Sequence, residues 1–390
     1  MAHARVALAQ CGSALVNATP VSVDVLEGFD ALATLKERWD QLFLANPNEP
    51  STSFEWTSAM ATHYVRQGDR CLLVQLRRGD VLVGLVPLVL RQMKVMGQRI
   101  GLLTPLSEEN NTHSDLLLAC ADDESVSAFV SALGRLGVDW DCFRLARLLE
   151  QNPLVPALRR VLGSGGHRHL MRQGVPAYVL DLPSSFADYL ASRSAKFRNH
   201  LKRSIRKLQE AGDVGVTDLD RVGSFEQAYD ALLLVERASW KQSHGTSIVS
   251  VERQTSFYRD FGRAAFGGGS LHLQWLTLDA RPIAYNLGYM TEAGYHYLKT
   301  SYDAAYRQFS PATCLRARLV ESLIARGVPR LDFPGEPYEW EAQWTDTIRW
   351  RLACTIYPPT VRGRALSAID RIRHWRRPVR TVDHVDPRAV

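Results

Sequence analysis

The chain has 390 residues, of which 46% are hydrophobic and 23% are charged. This composition is that of a folded globular protein and excludes a disordered or low-complexity chain, and the length predicts two domains. The formal net charge of +6 suits a protein that handles anionic ligands and equally one with a basic tail, so charge alone selects neither.

The cysteines and the apolar runs predict neither an oxidising compartment nor a membrane-spanning segment. The six cysteines are scattered without a C-x-x-C pair, which argues against zinc and disulfide frameworks and indicates a reducing cytoplasm. The longest apolar run, Val81–Leu90, is about half the length of a membrane span, and the segment Met1–Val16 lacks the apolar core of a signal peptide. We therefore expect a cytoplasmic protein without a transmembrane segment.

The first half of the chain predicts one module over residues 20–175. Residues 1–22 look like a loosely structured lead-in, and apolar residues at helical spacing predict a helix over 26–44. A second helix is predicted from Ser53, followed by two strands that meet at the turn Arg78–Asp80.

Three histidines and one aspartate in this half are candidates for a catalytic or metal-binding site. His113 and Asp115, in a polar loop, suit a catalytic or metal pair, but a solvated loop is the more common explanation. His167 and His169 lack a cysteine or acidic companion, so no metal site is predicted there or elsewhere.

The second half, over residues 176–360, opens with a strand and a strongly basic helix. Seven Lys or Arg residues lie between Arg193 and Lys207 with no acidic residue among them, while apolar residues recur at helical spacing. Three interpretations stay open: a solvated helix face, a clamp for the phosphates of a nucleotide-bearing donor or an anionic acceptor, and RNA binding. Few aromatic residues are interleaved, which disfavours RNA.

The stretch after this helix predicts a hairpin, a third strand, a helix and a fourth strand. The hairpin strands are 271–278 and 283–290, the third strand is 294–303, and the helix ends at Gly327. The fourth strand, 328–333, leads into an aromatic loop. This hairpin echoes the one at Arg78–Asp80, which favours an internal duplication of two α/β modules.

The third strand meets the following helix at residues 307–313, where we expect the chemistry. Ser310 suits an N-cap and Pro311 the first helical turn, so the helix starts with several unpaired N–H groups. Together with Arg307, this start forms an anion-binding concavity, although an ordinary strand-to-helix turn has the same pattern.

The segment from Arg307 to Ala312 resembles the pyrophosphate-binding turn of the GNAT acyltransferases. The order of the basic helix, the ERASWK segment, the hairpin, YDAAYRQFSPA and DFPGEPYEWEAQW resembles more closely the CelD-like, FemAB-related branch of that superfamily. The resemblance covers roughly residues 185–350, with looser similarity over the N-terminal half. Ser310 replaces the first glycine of the turn, Ala312 stands where the branch usually has Gly, and acidic Glu339 stands near a common Lys.

The resemblance implies an α/β (α+β) fold of tandem GNAT-like modules, each a mixed, mostly antiparallel sheet flanked by helices. It implies that the turn fixes the donor pyrophosphate, that a backbone N–H near residues 299–301 polarises the thioester carbonyl, and that a carboxylate and a hydroxyl move protons. The implied catalytic residues are Asp303, Tyr302, Glu336 and Tyr338; the donor-binding residues are Arg307, Gln308, Ser310, Ala312, Thr313, Lys299 and Ser301; the acceptor-binding residues are Trp240, Lys241, Asp332, Trp344, Arg198 and Lys202.

The resemblance predicts an N-acyltransferase that uses acyl-CoA as cosubstrate, with no permanently bound cofactor. The acceptor is expected to be a small amine such as an amino sugar or an amino acid, in exopolysaccharide or cell-envelope biosynthesis. An aminoacyl-tRNA-dependent transferase and a non-catalytic polysaccharide-assembly protein are the alternatives. The Arg-rich tail over 361–390 is predicted to be solvated, with a peripheral contact to an anionic membrane as the second interpretation.

Overall fold

Residues 19–45, 49–95, 97–106, 112–335 and 337–376 are described by the structure, a computed structural model. Within them the chain divides into two compact units. The first comprises residues up to 176 together with those from 349 onwards, and the second comprises residues 177–348.

The first unit begins with a meander of antiparallel strands. The strands are β1 (Val21–Glu27), β2 (Arg70–Arg78), β3 (Val81–Val95), β4 (Gln98–Pro105), β5 (Leu117–Leu118), β6 (Cys142–Leu149) and β7 (Arg168–Gln173). The helices are α1 (Lys36–Ala45), α2 (Phe54–Tyr64), α3 (Asp123–Leu133) and α4 (Leu154–Ser164). The main core of this unit packs α3 and α4 against leucines and valines of the sheet.

The second unit has the same order of hairpin, third strand, helix and parallel strand. Its strands are β8 (Ala177–Asp181), β9 (Val214–Asp218), β10 (Leu271–Leu278), β11 (Arg281–Thr291), β12 (Gly294–Tyr302) and β13 (Arg330–Phe333). Its helices are α5 (Phe186–Ser192), α6 (Ala195–Ala211), α7 (Leu219–Val222), α8 (Phe225–Ala238), α9 (Trp240–Ser243), α10 (Glu252–Gly267), α11 (Pro311–Ala325) and α12 (Glu339–Ala342).

The chain then passes through β14 (Ile348–Arg349) and β15 (Arg351–Tyr357) and ends its described part in α13 (Val361–Arg376). The first sheet has the order β1-β2-β3-β4-β6-β15-β7, with β5 paired to β3, and the second has the order β14-β8-β13-β12-β11-β10-β9. Most neighbouring strands are antiparallel, whereas β4–β6 and β12–β13 are parallel. The predicted fold class, two mixed and mostly antiparallel sheets flanked by helices, is confirmed.

Three parts of the sequence interpretation need correction. The helix start predicted at residue 26 is wrong, as is the end of the predicted lead-in at residues 21–22, because Val21–Glu27 is a strand paired with β2, and its Val-Ser-Val-Asp-Val alternation has the period of a strand. Residues 1–18 of the lead-in lie outside the described residues. Strand β15 lies within the range assigned to the second module but pairs with β6 and β7 of the first unit. The tail forms helix α13 up to Arg376, while its remainder lies outside the described residues.

The turn of the β10–β11 hairpin predicts a simple gain of stability. Leu278 pairs with Arg281, so Asp279 and Ala280 form the two-residue turn, and both have positive φ, 48° and 64°. An alanine in this left-handed region costs about 1 kcal/mol relative to glycine. We therefore expect Ala280→Gly to raise the free energy of unfolding by about 1 kcal/mol in denaturant titrations.

The β2–β3 hairpin supplies the opposite control for this prediction. Gly79 occupies its turn at a φ of 58°, with no neighbouring atom closer than 4.0 Å to an added Cβ. Gly79→Ala should therefore lower stability through backbone strain alone. Changes of the same sign in the free energy of unfolding of the two variants would contradict the assignment of strain to Ala280.

Candidate active site

Strands β12 and β13 separate after a short parallel contact. They pair only at Tyr295 with Leu331 and at His296 with Asp332, whereas β12 continues along β11 as far as Tyr302. A register shift in the β11–β12 ladder falls where the separation begins, between the pairs of Tyr297 and Lys299. The second half of β12 therefore presents an edge that β13 does not cover. We call residues 298–302 of this edge the open edge.

The open edge leads into the turn that was predicted to bind the donor. A 3₁₀ turn spans Ala304–Phe309, and α11 follows at Pro311. Ser310 lies at the N-cap position but has a left-handed backbone (φ 51°, ψ 52°) and makes no capping bond with its side chain. The prediction that Ser310 is the N-cap residue is confirmed, but the serine contributes no side-chain hydrogen bond and adopts the conformation that glycine favours.

The start of α11 keeps the properties of an anion site. The N–H groups of Thr313 and Cys314 donate to the Ser310 carbonyl, whereas Ala312 is in the first turn, where a helix offers no carbonyl partner to its N–H. Arg307 and Gln308 are exposed beside it. The partial positive charge of the helix terminus and the Arg307 guanidinium both favour a phosphate here.

A buried carboxylate organises one face of the sheet beside the open edge. Glu236 of α8 is 0% exposed. It accepts hydrogen bonds from the Tyr285 hydroxyl and the Ser247 hydroxyl, both at 2.5 Å, and from the Ile248 N–H at 2.9 Å. The Lys241 ammonium lies 3.9 Å from the same carboxylate. These contacts fix the segment that follows α8 against the sheet.

Two lysines meet at the open edge on this face. The Lys241 ammonium donates to the Thr300 carbonyl at 2.5 Å, which places this carbonyl on the side of β12 that β13 leaves open. The Lys299 ammonium lies 5.4 Å from the centre of the Tyr258 ring. Burial lowers the pKa of both lysines, and the charge of Lys241 further lowers that of Lys299, to about 8, although Glu236 opposes both shifts.

Removal of the Lys299 charge should stabilise the fold. The folded-state pKa lies below the ordinary value of 10.5, so the charged lysine destabilises the folded state below pH 8, and stability rises as the pH goes from 8 to 10.5. With a discount for its partial exposure, we expect Lys299→Met to gain on the order of 1–2 kcal/mol at pH 7. Denaturant titrations should show this gain shrinking towards pH 10, and a gain that stays constant with pH would contradict the assignment. Lys202→Met, on the exposed face of α6, is the control.

The opposite face of the sheet carries a second polar network. Asn286 follows Tyr285 on β11, so its side chain points to the other face. The Asn286 amide oxygen accepts from the Tyr297 hydroxyl and, at 3.3 Å, from the Thr300 hydroxyl. The Arg316 Nε of α11 donates to the Tyr297 hydroxyl at 3.3 Å. The Glu236 network reaches the open edge through Lys241 and the Thr300 carbonyl, and the Asn286 network reaches it through the Thr300 hydroxyl.

The remaining residues predicted to be catalytic differ in their surroundings. Asp303 is buried and accepts from the Ala305 N–H and from Arg281, both at 3.0 Å, so it holds the 3₁₀ turn. Tyr302 is half-buried against the core beneath α11. Tyr338 is 47% exposed and starts α12. Glu336 lies outside the described residues.

The residues predicted to contact the acceptor are dispersed through the unit. Trp344 is 1% exposed and stacks on Tyr189, and Asp332 is buried on β13. Arg198 bonds the carbonyls at the end of α5, and Lys202 is exposed on α6. Half-buried Trp240 contacts His244 edge to face. Of this set, only Lys241 lies at the open edge, where it joins the predicted donor residues Lys299 and Ser301, the latter buried.

Cys314 and the histidines of the first unit carry no nucleophile or metal site in the described chain. The Cys314 thiol is buried, which raises its pKa to about 11. His113 bonds Arg351, whereas Asp115 accepts from Asn152, so the two do not form a pair. Among the described residues no group of three or more metal-ligating side chains occurs, and no helix has the length and apolarity to cross a membrane.

The first unit repeats the open parallel pair but not the anion site. Strands β4 and β6 pair only at Leu102–Leu103 with Cys142–Phe143. The helix between them, α3, starts with Asp122 as its capping residue, followed by Asp123 and Glu124. This acidic first turn repels phosphate, so the donor site is expected in the second unit alone.

Comparison with known proteins agrees with this division. The family model described as "Acetyltransferase (GNAT) domain" matches residues 195–342. Most of the second unit therefore resembles the GNAT acetyltransferases, and we call this unit the GNAT domain. This domain contains both the open edge and the start of α11. No curated protein matches the sequence.

Solved structures resemble this chain in fold over both units. FemX superposes with a TM-score of 0.60 over 86% of this chain and 98% of its own, at 9% identity. The C-terminal domain of a putative lysylphosphatidylglycerol synthetase from Agrobacterium fabrum gives 0.50 over 88% and 97%, at 13% identity. The resemblance to the GNAT acyltransferases is thus confirmed over residues 195–342, and the likeness to FemX is one of fold.

Sequence interpretation missed most of the two polar networks of the GNAT domain. Glu236 stands in the ERASWK segment, whose position along the chain contributes to the family resemblance but does not show that Glu236 is buried. Asn286 is the one polar residue in the apolar run 283–290. The presence of Asn286 inside this apolar run was the sequence feature that could have indicated a buried polar network. The residues not foreseen were Glu236, Tyr285, Asn286, Tyr297 and Arg316.

Proposed function

We propose that the GNAT domain transfers an acyl group from acyl-CoA to a primary amine. The observation that carries the proposal is the continuity between the open edge of β12 and the uncapped start of α11. We call the open edge together with the start of α11 the candidate cleft, or the cleft for short. Its α11 end suits a pyrophosphate, and its β12 end presents backbone groups and ammonium charges to a thioester carbonyl. The proposed acceptor is an amino sugar, an amino acid or a similar small amine of the cell envelope.

In the proposed reaction, the amine nitrogen attacks the thioester carbonyl carbon and the carbon–sulfur bond breaks. The negative charge that develops on the carbonyl oxygen is stabilised by the open edge and by Lys241 and Lys299. The attacking ammonium must first lose a proton to water. The nitrogen loses a second proton to water as the neutral amide forms, and the leaving thiolate gains one. Tyr338 is our candidate for the latter because it is accessible on the loop after β13, whereas Asp303 acts by holding the donor turn.

A direct test combines the purified chain with acetyl-CoA or longer acyl-CoAs and a panel of amines, and measures thiol release together with the mass of the product. Amine-dependent thiol release with an acylated product would support the proposal. No product with any donor, while the chain remains folded by circular dichroism, would refute it.

Aminoacyl-tRNA as the donor is the second candidate. Helix α6 packs against α11 and the 3₁₀ turn through its apolar face and leaves Lys202, Arg203, Arg206 and Lys207 exposed. FemX has the same fold at low identity. This candidate predicts tRNA binding that weakens steeply with salt and competes with CoA. Binding that is absent at 50 mM salt would remove it.

A further inference from the structure

The inference concerns a buried guanidinium of α11 for which the described residues supply no counter-ion. Arg316 is 4% exposed. Its guanidinium carbon lies 3.9 Å from the centre of the Trp340 ring and 5.3 Å from that of Trp344. Among the described residues no carboxylate lies within ion-pair distance, and its hydrogen bond within the chain runs from Nε to the Tyr297 hydroxyl at 3.3 Å. Neutral aromatic rings therefore supply most of its surroundings.

Such an arrangement is costly unless a ligand completes it. A buried charge normally pairs with an opposite charge, and the guanidinium terminus is a planar fork that suits a carboxylate or phosphate. The exposed Arg318, two residues further along the same helix, pairs with Glu321 at 3.0 Å. Among the described residues, the exposed arginine thus has a carboxylate partner and the buried one does not.

A second donor on the same network also has no partner in the part of the chain that the structure describes. The Asn286 amide nitrogen is fully buried and makes no hydrogen bond to a described residue, although the amide oxygen accepts from the Tyr297 and Thr300 hydroxyls. The Tyr297 hydroxyl joins this amide to Arg316. The network thus contains an unused cation and an unused donor, and both suit an oxyanion.

The surroundings of the open edge have the same excess of positive charge. Lys241 and Lys299 lie on one face of β12 and Arg316 on the other, and the Arg316 charge is close enough to lower the pKa of Lys241. The Glu236 carboxylate lies 3.9 Å from the Lys241 ammonium and raises the pKa of both lysines, which only partly offsets the effect of burial. An anion entering the cleft would reduce this imbalance.

We infer that Arg316 binds an anionic group, a carboxylate or a phosphate, of the acyl acceptor. This inference rests on the proposed function, because it assigns the two ends of the cleft to two substrates. CoA carries its phosphates at the end that the start of α11 would hold, whereas its thioester end at Thr300 is uncharged. An anion beside Thr300 therefore belongs to the other substrate.

The test uses three amines that differ in their anion: glucosamine with none, glucosamine 6-phosphate with a phosphate, and muramic acid with a carboxylate. Binding to the full chain is measured by calorimetry without donor, so a failure of acyl transfer does not affect the result. We expect at least one anionic amine to bind about 100-fold more tightly than glucosamine, and Arg316→Met to remove that preference. A preference for glucosamine 6-phosphate assigns a phosphate, and one for muramic acid a carboxylate.

Two further variants separate recognition from a structural role. Arg316→Lys keeps the charge but not the planar fork and should retain part of the preference, whereas Arg318→Met should retain all of it. Because no described carboxylate pairs with Arg316, Arg316→Met should unfold at a Tm equal to or above that of wild type. Equal affinities for the three amines in wild type, or a lowered Tm of Arg316→Met with the preference unchanged, would overturn the inference.

Discussion

Replacement of Glu236 by leucine is expected to destabilise the GNAT domain by about 3–5 kcal/mol, the largest effect on stability that we expect from a single side chain. The carboxylate satisfies the Tyr285 hydroxyl, the Ser247 hydroxyl and the Ile248 N–H, and it faces the Lys241 ammonium. Leucine would leave these groups buried without their partner, and an unpaired buried charge is especially costly.

Denaturant titration followed by fluorescence measures this effect. Glu226→Gln is the matched control, because Glu226 lies on the same helix but pairs with Arg263 at the surface, where such a pair contributes less than about 1 kcal/mol. A loss below about 1 kcal/mol for Glu236→Leu would show that the carboxylate does not organise the segment after α8.

Replacement of Ala312 by aspartate should separate stability from donor binding. A carboxylate in the first turn of α11 favours the helix by about 0.3–1 kcal/mol. The same charge would face the pyrophosphate of the donor, and at a few ångströms this repulsion should weaken acyl-CoA binding by about 100-fold or more. The expected result is a folded chain with an unchanged or higher Tm that no longer responds to acyl-CoA.

Val361→Asp is the matched control for this substitution. Val361 is the first residue of α13 and is 84% exposed, so an aspartate there has the same favourable position on a helix of the first unit. It should leave acyl-CoA binding intact. Unchanged donor affinity in Ala312→Asp, measured by calorimetry, would exclude the start of α11 as the pyrophosphate site.

Local patterns predicted the second unit well because its elements are continuous in sequence. The hairpin strands, the third strand and α11 each have a periodicity that a single segment displays, and the turn at Arg307–Ala312 lies between two of them. Strand β1 was missed because its first two residues were assigned to the lead-in and its last two to the predicted helix, which divided its alternating pattern. The pairing of β15 with β6 connects residues about 200 positions apart and leaves no local pattern.

The polar networks were harder to predict for the same reason. Glu236 and Tyr285 are 49 positions apart, and Arg316 and Tyr297 are 19 apart. Neither pair has the spacing of a helix or hairpin contact, so the partners of each residue become apparent only when the helices pack on the sheet. The turn before α11 was predicted because a helix start and a basic residue are local features, whereas the left-handed backbone of Ser310 was not predicted.

The most direct test of acyl-CoA binding at the start of α11 compares acetyl-CoA with acetylpantetheine, which has the same thioester but lacks the nucleotide and the pyrophosphate. Calorimetry on wild type and Ala312→Asp measures both affinities. We predict that wild type binds acetyl-CoA at least 100-fold more tightly than acetylpantetheine, and that Ala312→Asp loses this difference. Equal binding of the two thioesters by wild type, or no binding of either, would contradict the account.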